Sequence, residues 1–239
     1  MRAVVIEQTG GPEVLQVKEI DTPQPGPGQV LVDVAAAGVN FIDAYQRTGI
    51  YPMDLPFVAG SEGAGTVSAV GPDVSDLAVG DRVAWAMVNG AGYAEQVVVP
   101  TERAVPVPAE VDLETAAAAM LQGMTAQYLC EATHPAHAGE TALVHAAAGG
   151  VGLLLTQMLA AKGVRVIGTT STDEKAALAR GAGAAEVVAG WRIRISRRGD
   201  GGAFGGEIDI GFIDAFGFFQ RTFDVTHTAC TGHACDGES

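Results

Sequence analysis

The chain is poor in cysteine. Its 239 residues include three, and none precedes Cys130. One internal thiol and two near the C-terminus do not make a disulfide framework, so the fold must rest on packed cores. Positive charge is also scarce: 14 lysines and arginines face 28 aspartates and glutamates, a net charge of −14. A surface of that sign has no electrostatic footprint for nucleic acid or an anionic membrane. No apolar run is long enough to span a bilayer. Met1-Arg2 leads straight into the strand-like Ala3-Val4-Val5-Ile6, which leaves no room for a secretory leader. These absences predict a soluble, cytoplasmic protein with neither nucleic-acid nor membrane partners. The apolar content of 48% is ample for one large domain or two small ones.

What is present centres on a glycine-bearing turn. The apolar run Thr141-Ala142-Leu143-Val144-His145 is followed by Ala146-Ala147-Ala148-Gly149-Gly150-Val151-Gly152 and then by the helical Leu153-Leu154-Leu155-Thr156-Gln157-Met158-Leu159-Ala160. A second strand, Val164-Arg165-Val166-Ile167-Gly168, arrives at βαβ spacing. Strand, turn and helix in this order suit a nucleotide pyrophosphate. Gly149 lets the backbone approach phosphate oxygens, Gly152 lets the helix pack on the strand, and Gly150 and Val151 open a helix whose N-terminus offers unpaired N–H groups. Ala147 stands where the G-x-G-x-x-G pattern has its first glycine, so the signal lies in the context more than in the pattern. A tight turn with nothing bound is the bland alternative.

The end of the second strand selects the dinucleotide. An NAD site has an acid about 20 residues beyond the first glycine, to hold the ribose hydroxyls. Here the chain reads Gly168-Thr169-Thr170-Ser171-Thr172, with Lys175 one turn into the next helix. Hydroxyls at Thr169, Thr170 and Ser171 and the Lys175 ammonium suit a 2′-phosphate, which favours NADPH over NADH. Asp173 and Glu174 argue mildly the other way, although they also fit the first turn of a helix capped by Thr172. On spacing alone, Lys175 serves equally well as an ordinary solvated lysine.

Residues 1 to about 110 alternate as short strands, such as Val30-Leu31-Val32-Asp33-Val34-Ala35 and Gly65-Thr66-Val67-Ser68-Ala69-Val70, punctuated by proline and glycine. That spacing predicts a small barrel-like domain. An alanine-rich helical stretch then runs from Asp112 to Met120 and continues through Gly123 to Leu129. The βαβ unit follows, with a helix at Asp173 to Arg180 and a third strand at Ala185 to Val188. Further motifs occur in a recognisable order: Pro25-Gly26-Pro27-Gly28-Gln29-Val30, Gly38-Val39-Asn40-Phe41-Ile42-Asp43, Gly60-Ser61-Glu62-Gly63-Ala64-Gly65, Val79-Gly80-Asp81-Arg82-Val83 and Gly92-Tyr93-Ala94-Glu95. Together they resemble the zinc-free, ζ-crystallin-like quinone oxidoreductases of the medium-chain dehydrogenase/reductase superfamily, over residues 1 to about 188.

The resemblance implies an α/β chain in three parts. Residues 1–123 would form a GroES-like β-barrel substrate domain. Residues 124–188 would form a Rossmann NADPH-binding domain that stops after its third strand, and residues 189–239 a tail outside the family pattern. Zinc-dependent relatives carry cysteine where Asn40 stands and histidine where Ser61 stands, so no catalytic zinc is expected here. His134, His137 and His145 have no acidic or thiol partner at ligand spacing. His227, Cys230, His233 and Cys235 match no finger spacing. Without a Lewis acid, the remaining chemistry is hydride delivery from NADPH to an acceptor that is already electrophilic, a quinone or an enone. The resemblance sets Asn40, Tyr45 and Tyr51 opposite the nicotinamide across the domain cleft, and Thr125 beside the nicotinamide or substrate. Each tyrosine taken singly also fits packing onto its own domain. Asp43 and Arg47 are spaced for a structural i,i+4 pair.

Past Val188 the family pattern stops. Gly190 stands where the family has a tyrosine beside the adenine ribose phosphate, and a phenylalanine-rich stretch follows. A reading-frame shift near residue 189 is the simplest account. The loss of later strands predicts weak or absent turnover and puts the family's homodimer in doubt. Two alternative functions fit the same residues: an enoyl-thioester reductase of the superfamily and a non-catalytic, crystallin-like binding protein.

Overall fold

The computed structural model describes residues 1–189 and the pair Phe212–Ile213. Proline- and glycine-bearing turns divide the first 110 residues into eight strands. β1 (Arg2–Ile6) is flanked by β2 (Gln16–Glu19) and β4 (Phe57–Val58) in an antiparallel sheet of three. A second antiparallel sheet has five strands: β3 (Gln29–Ala37), β5 (Glu62–Val70), β6 (Arg82–Ala86), β7 (Gln96–Pro100) and β8 (Val105–Pro106). Its order is β7-β3-β5-β6-β8. The alternation that predicts these strands also fills their core. Val97 and Val99 of β7 turn inward with Val30, Val32, Val67 and Val83 around a fully buried Trp85. The indole N–H of Trp85 donates to Ala91 O (2.5 Å), so the largest core side chain leaves no polar atom orphaned.

One α-helix lies in this first unit and a second begins in it. α1 (Phe41–Thr48) follows β3 directly, and its last turn closes on Gly49 at φ +81°, the left-handed cap that glycine adopts without strain. α2 (Leu113–Tyr128) starts where the Asp112 carboxylate accepts the Thr115 N–H (2.7 Å) and Thr115 hydroxyl (2.8 Å). Its small Ala116 and Ala117 pack on Ala64 and Ala84 of the sheet. Gly123 does not interrupt α2, and the two helical stretches read from the sequence form one element.

The chain divides into two compact units, Met1–Ala126 and Gln127–Ser239, with the boundary inside α2. In the second unit, β9 (Thr141–Val144), α3 (Gly150–Ala161), β10 (Arg165–Thr170), α4 (Asp173–Gly181) and β11 (Glu186–Ala189) alternate as the sequence predicts. β10 pairs in parallel with β9, from Arg165↔Thr141 to Gly168↔Val144, and β11 pairs in parallel with β10. The three family-like strands are joined by a two-residue β12 (Phe212–Ile213), parallel to β9 on the side away from β10, which gives the order β11-β10-β9-β12. Gly190 and the tail residues His227, Cys230, His233 and Cys235 lie outside the described residues. Among the described residues no helix is long and apolar enough to cross a membrane.

Candidate functional site

The neighbours of β9 lie on opposite sides of it, so the C-terminal end of β9 is the switch point of the parallel sheet, the place where open α/β sheets bind ligands. The glycine-bearing turn lies there. Gly149 N–H donates to Ala146 O (2.7 Å) and Ala147 N–H to Thr169 O (3.0 Å), which closes the turn against the end of β10. Ala146 takes a positive φ of 49°, uncommon for a residue with a side chain. A methyl group on Gly152 would lie 2.3 Å from Ala146 O, so only glycine lets α3 start this close to the turn. Gly149 and Gly150 are exposed, Val151 is half-buried and Gly152 is buried. Among the described residues no acceptor takes up the N–H groups of Gly150, Val151 or Gly152. Unpaired first-turn donors above a glycine-cleared turn could hold a pyrophosphate.

Ala147, the departure from the glycine pattern, is fully buried. Its methyl faces Gly168, where an added Cβ would lie 2.8 Å away. The missing glycine in the turn is matched by one on the neighbouring strand, a compensation between strands that a pattern along the chain does not reveal.

The residues expected at a 2′-phosphate divide into two pairs. Thr169 and Thr170 are buried with committed hydroxyls. Thr169 Oγ1 accepts Ala146 N–H (3.3 Å) and lies 3.1 Å from His145 Nδ1, while Thr170 Oγ1 donates to Thr172 O (3.4 Å). Thr169 therefore braces the turn. Ser171 and Lys175 are exposed side by side, with Lys175 Nζ 3.4 Å from Ser171 Oγ. Thr172 caps α4 by accepting Lys175 N–H (3.3 Å), the position in which Asp173 and Glu174 serve a helix start.

In the first unit, Asn40 is the N-cap of α1 and is buried. Its Nδ2 donates to Glu62 Oε1 (2.8 Å), and its backbone N–H donates to Asp43 Oδ2 (2.9 Å). That same Asp43 oxygen accepts the Tyr93 hydroxyl (2.6 Å). Asp43 and Arg47 form no ion pair, contrary to their spacing. Asp43 is taken by Asn40 and Tyr93, and Arg47 Nε is buried with no hydrogen-bond partner among the described residues. The rings of Tyr45 and Tyr51 meet edge-on at 5.3 Å, and Phe41 meets Tyr45 at 5.5 Å. Thr125 Oγ1 donates to Leu121 O (2.7 Å), one turn back on α2.

Glu62 joins these elements. Its second oxygen accepts the Leu121 N–H, so one carboxylate spans from Asn40 to the turn of α2 that carries Thr125. The side chain is fully buried, and a methyl group on Gly38 would lie 1.8 Å from Glu62 Oε1. Burial pushes the Glu62 carboxyl above its ordinary pKa, and the bonds from Asn40 and Leu121 pull it back part of the way. Burial likewise raises the Tyr93 phenol, helped by its bond to Asp43 and by the charges of Asp43 and Glu62. Sequence reasoning missed both Glu62 and Tyr93 as site residues, although both lie in motifs it singled out. The available signal was an acid at the start of a small-residue strand with no cation nearby in sequence.

Residues 26–109 match the alcohol dehydrogenase GroES-like domain. The quinone oxidoreductase of Pseudomonas aeruginosa is 49% identical over 190 residues, covering 79% of this chain and 58% of that protein. Two solved structures superpose with TM-scores of 0.77: a mycobacterial protein complexed with NADPH, at 51% identity, and Escherichia coli quinone oxidoreductase complexed with NADPH, at 40%. Each comparison covers 79% of this chain and 58% of the other. Over 79% of its length the chain is similar to quinone oxidoreductases. It spans 58% of the length of these relatives. Asn40 and Ser61 occupy the two positions at which the resemblance implies cysteine and histidine in zinc-dependent relatives. Among its described residues no three His, Cys, Asp or Glu side chains converge to hold a metal ion. His134 does have an acidic neighbour, contrary to expectation: its Nε2 lies 3.4 Å from Glu140 Oε2, which also accepts the His137 N–H (2.9 Å). The fold of the turn supplied this contact, but no third ligand joins the pair.

Proposed function

We propose that this chain is a metal-independent, NADPH-dependent reductase of quinones or activated enones. The observation that carries the reading is the glycine-cleared turn at the switch point of the parallel sheet, with unpaired N–H groups above it. Resemblance to relatives solved with NADPH supports the choice of ligand. When bound, NADPH supplies the hydride. The N–H groups of Gly150, Val151 and Gly152, with the approach left open by Gly149 and the packing of Ala147, hold the pyrophosphate. Ser171 and Lys175 hold the 2′-phosphate, while Thr169 and Thr170 shape the wall behind it.

On the acceptor side, the edge-on rings of Tyr45 and Tyr51 provide an apolar surface for a flat ring, and their hydroxyls hold or protonate the acceptor oxygen. Asn40 orients a carbonyl through its carboxamide, and Thr125 lines the acceptor's path. A quinone that takes up a hydride and a proton needs orientation and a proton source, not a Lewis acid.

Calorimetric titration with NADPH and NADH, followed by quinone reduction in the same samples, tests the reading. We expect NADPH to bind more tightly than NADH. Lys175→Ala should weaken NADPH about tenfold or more and leave NADH unchanged, as for loss of a charge-assisted hydrogen bond. Absence of binding by either nucleotide to a cooperatively melting chain would overturn the reading. Nucleotide binding without turnover would place the defect on the acceptor side.

A further inference from the structure

We propose that Glu62 is a positioning residue for the electrophilic acceptor: its buried carboxylate sets which end of the Asn40 carboxamide faces the acceptor and ties the start of α1 to α2 at Leu121. This inference rests on the reading of Asn40 as an acceptor-side residue. An ionised carboxylate only accepts hydrogen bonds. Two donors point at Glu62, Asn40 Nδ2 at 2.8 Å and the Leu121 N–H, one on each oxygen. The nitrogen end of Asn40 must therefore face Glu62, which leaves Oδ1 and one N–H of the carboxamide to meet a ligand.

The space for this arrangement is built in. Gly38 has no side chain where a methyl group would meet Glu62 Oε1 at 1.8 Å, and Asn40 is held from its other side by Asp43, itself bonded to Tyr93. A buried carboxylate costs desolvation, and among the described residues this one has no cationic partner within salt-bridge distance. An apolar residue would fill the same strand position at lower cost. What the carboxylate adds is two acceptor oxygens at a fixed separation, and both are used to orient groups beside the predicted site.

Glu62→Gln tests this, because an amide offers one acceptor oxygen and must leave one of the two donors unmatched. In ¹⁵N–¹H spectra, the Asn40 side-chain resonances, assigned by their loss in Asn40→Asp, should shift and lose protection from exchange in Glu62→Gln. With quinone as acceptor, kcat/KM should fall about tenfold while the NADPH Kd stays unchanged, and the effect should vanish in an Asn40→Ala background, since coupled neighbours are non-additive. Gly38→Ala provides a second route, because it displaces the carboxylate without altering Glu62 or Asn40, and it should reproduce both changes. Unmoved Asn40 resonances, or additive losses in the double variant, would overturn the proposal. A wild-type chain that melts cooperatively but binds neither nucleotide would refute the functional reading, whereas the spectra would still decide the Glu62–Asn40 lock.

Discussion

A methyl group added at Gly152 would lie 2.3 Å from Ala146 O and 2.9 Å from Ala147 Cα. Both are backbone atoms of a turn already closed by Gly149 N–H on Ala146 O and by Ala147 N–H on Thr169 O, so neither can retreat without giving up a bond. Overpacking against fixed neighbours costs about 1–3 kcal/mol. Gly152→Ala should lower unfolding stability by that amount. It should also weaken NADPH by more than tenfold, because the strained turn is what positions the N–H donors of Gly150, Val151 and Gly152. Gly181→Ala is the matched control: nothing lies within 4 Å of its added Cβ at the end of α4, and it should leave both quantities unchanged or slightly improved. Denaturant unfolding and calorimetry on the two variants decide the matter, and equal NADPH affinity in both would remove the turn from the binding site. At this scale the sequence was informative about Gly149 and Gly152, because a strand-turn-helix order leaves few roles for such glycines. It was silent on Ala147, whose compensation by Gly168 depends on which strands are neighbours.

At the scale of elements, α1 is held by a partner 50 residues distant in sequence. The Tyr93 hydroxyl and the Asn40 N–H share Asp43 Oδ2, and the other carboxylate oxygen is buried with no partner among the described residues. Removing the hydroxyl leaves a largely dry carboxylate with a single donor, and a hydrogen bond to a charged group contributes about 1.5–3 kcal/mol. Tyr93→Phe should therefore destabilise the first unit by about 2 kcal/mol, read as a lower urea midpoint with an unchanged slope. A change below about 0.5 kcal/mol, the range of ordinary surface substitutions, would mean that Asp43 is solvated and that α1 is anchored otherwise. This helix shows why spacing alone misled. Asp43 and Arg47 are one turn apart, which provides an opportunity for pairing, but a neutral phenol from a distant loop and the adjacent backbone N–H took the carboxylate first. Alternation and turn residues revealed the strands of the first unit, and the change to helical periodicity revealed α2, since those signals are local. The partners of Asp43 and Glu62 are tertiary and left only motif residues without an evident role.

For the molecule as a whole, the dominant electrostatic fact is its net charge of −14. The ligand proposed for the second unit is itself a polyanion. Lys175 offers an attractive contact, but Asp173 and Glu174 share its helical turn and no other cation is bonded to that cluster among the described residues. The long-range field should therefore oppose NADPH at a distance and favour it only on contact. Screening separates the two ranges, because the Debye length shortens from about 30 Å at 0.01 M salt to about 10 Å at 0.1 M. Raising salt through that interval removes repulsion over the whole approach path while leaving much of a 3 Å-scale contact intact, so the association rate constant should rise, opposite to the behaviour of sites that steer their ligands in. Dissociation should quicken modestly as the Lys175 contact is screened, and Lys175→Ala should abolish that second effect without altering the first. Stopped-flow mixing with NADPH at the two ionic strengths measures both constants. An association rate that falls with salt would show that the cradle's N–H groups and Lys175 outweigh the acidic surface even at long range, and that the field around the switch point is locally positive.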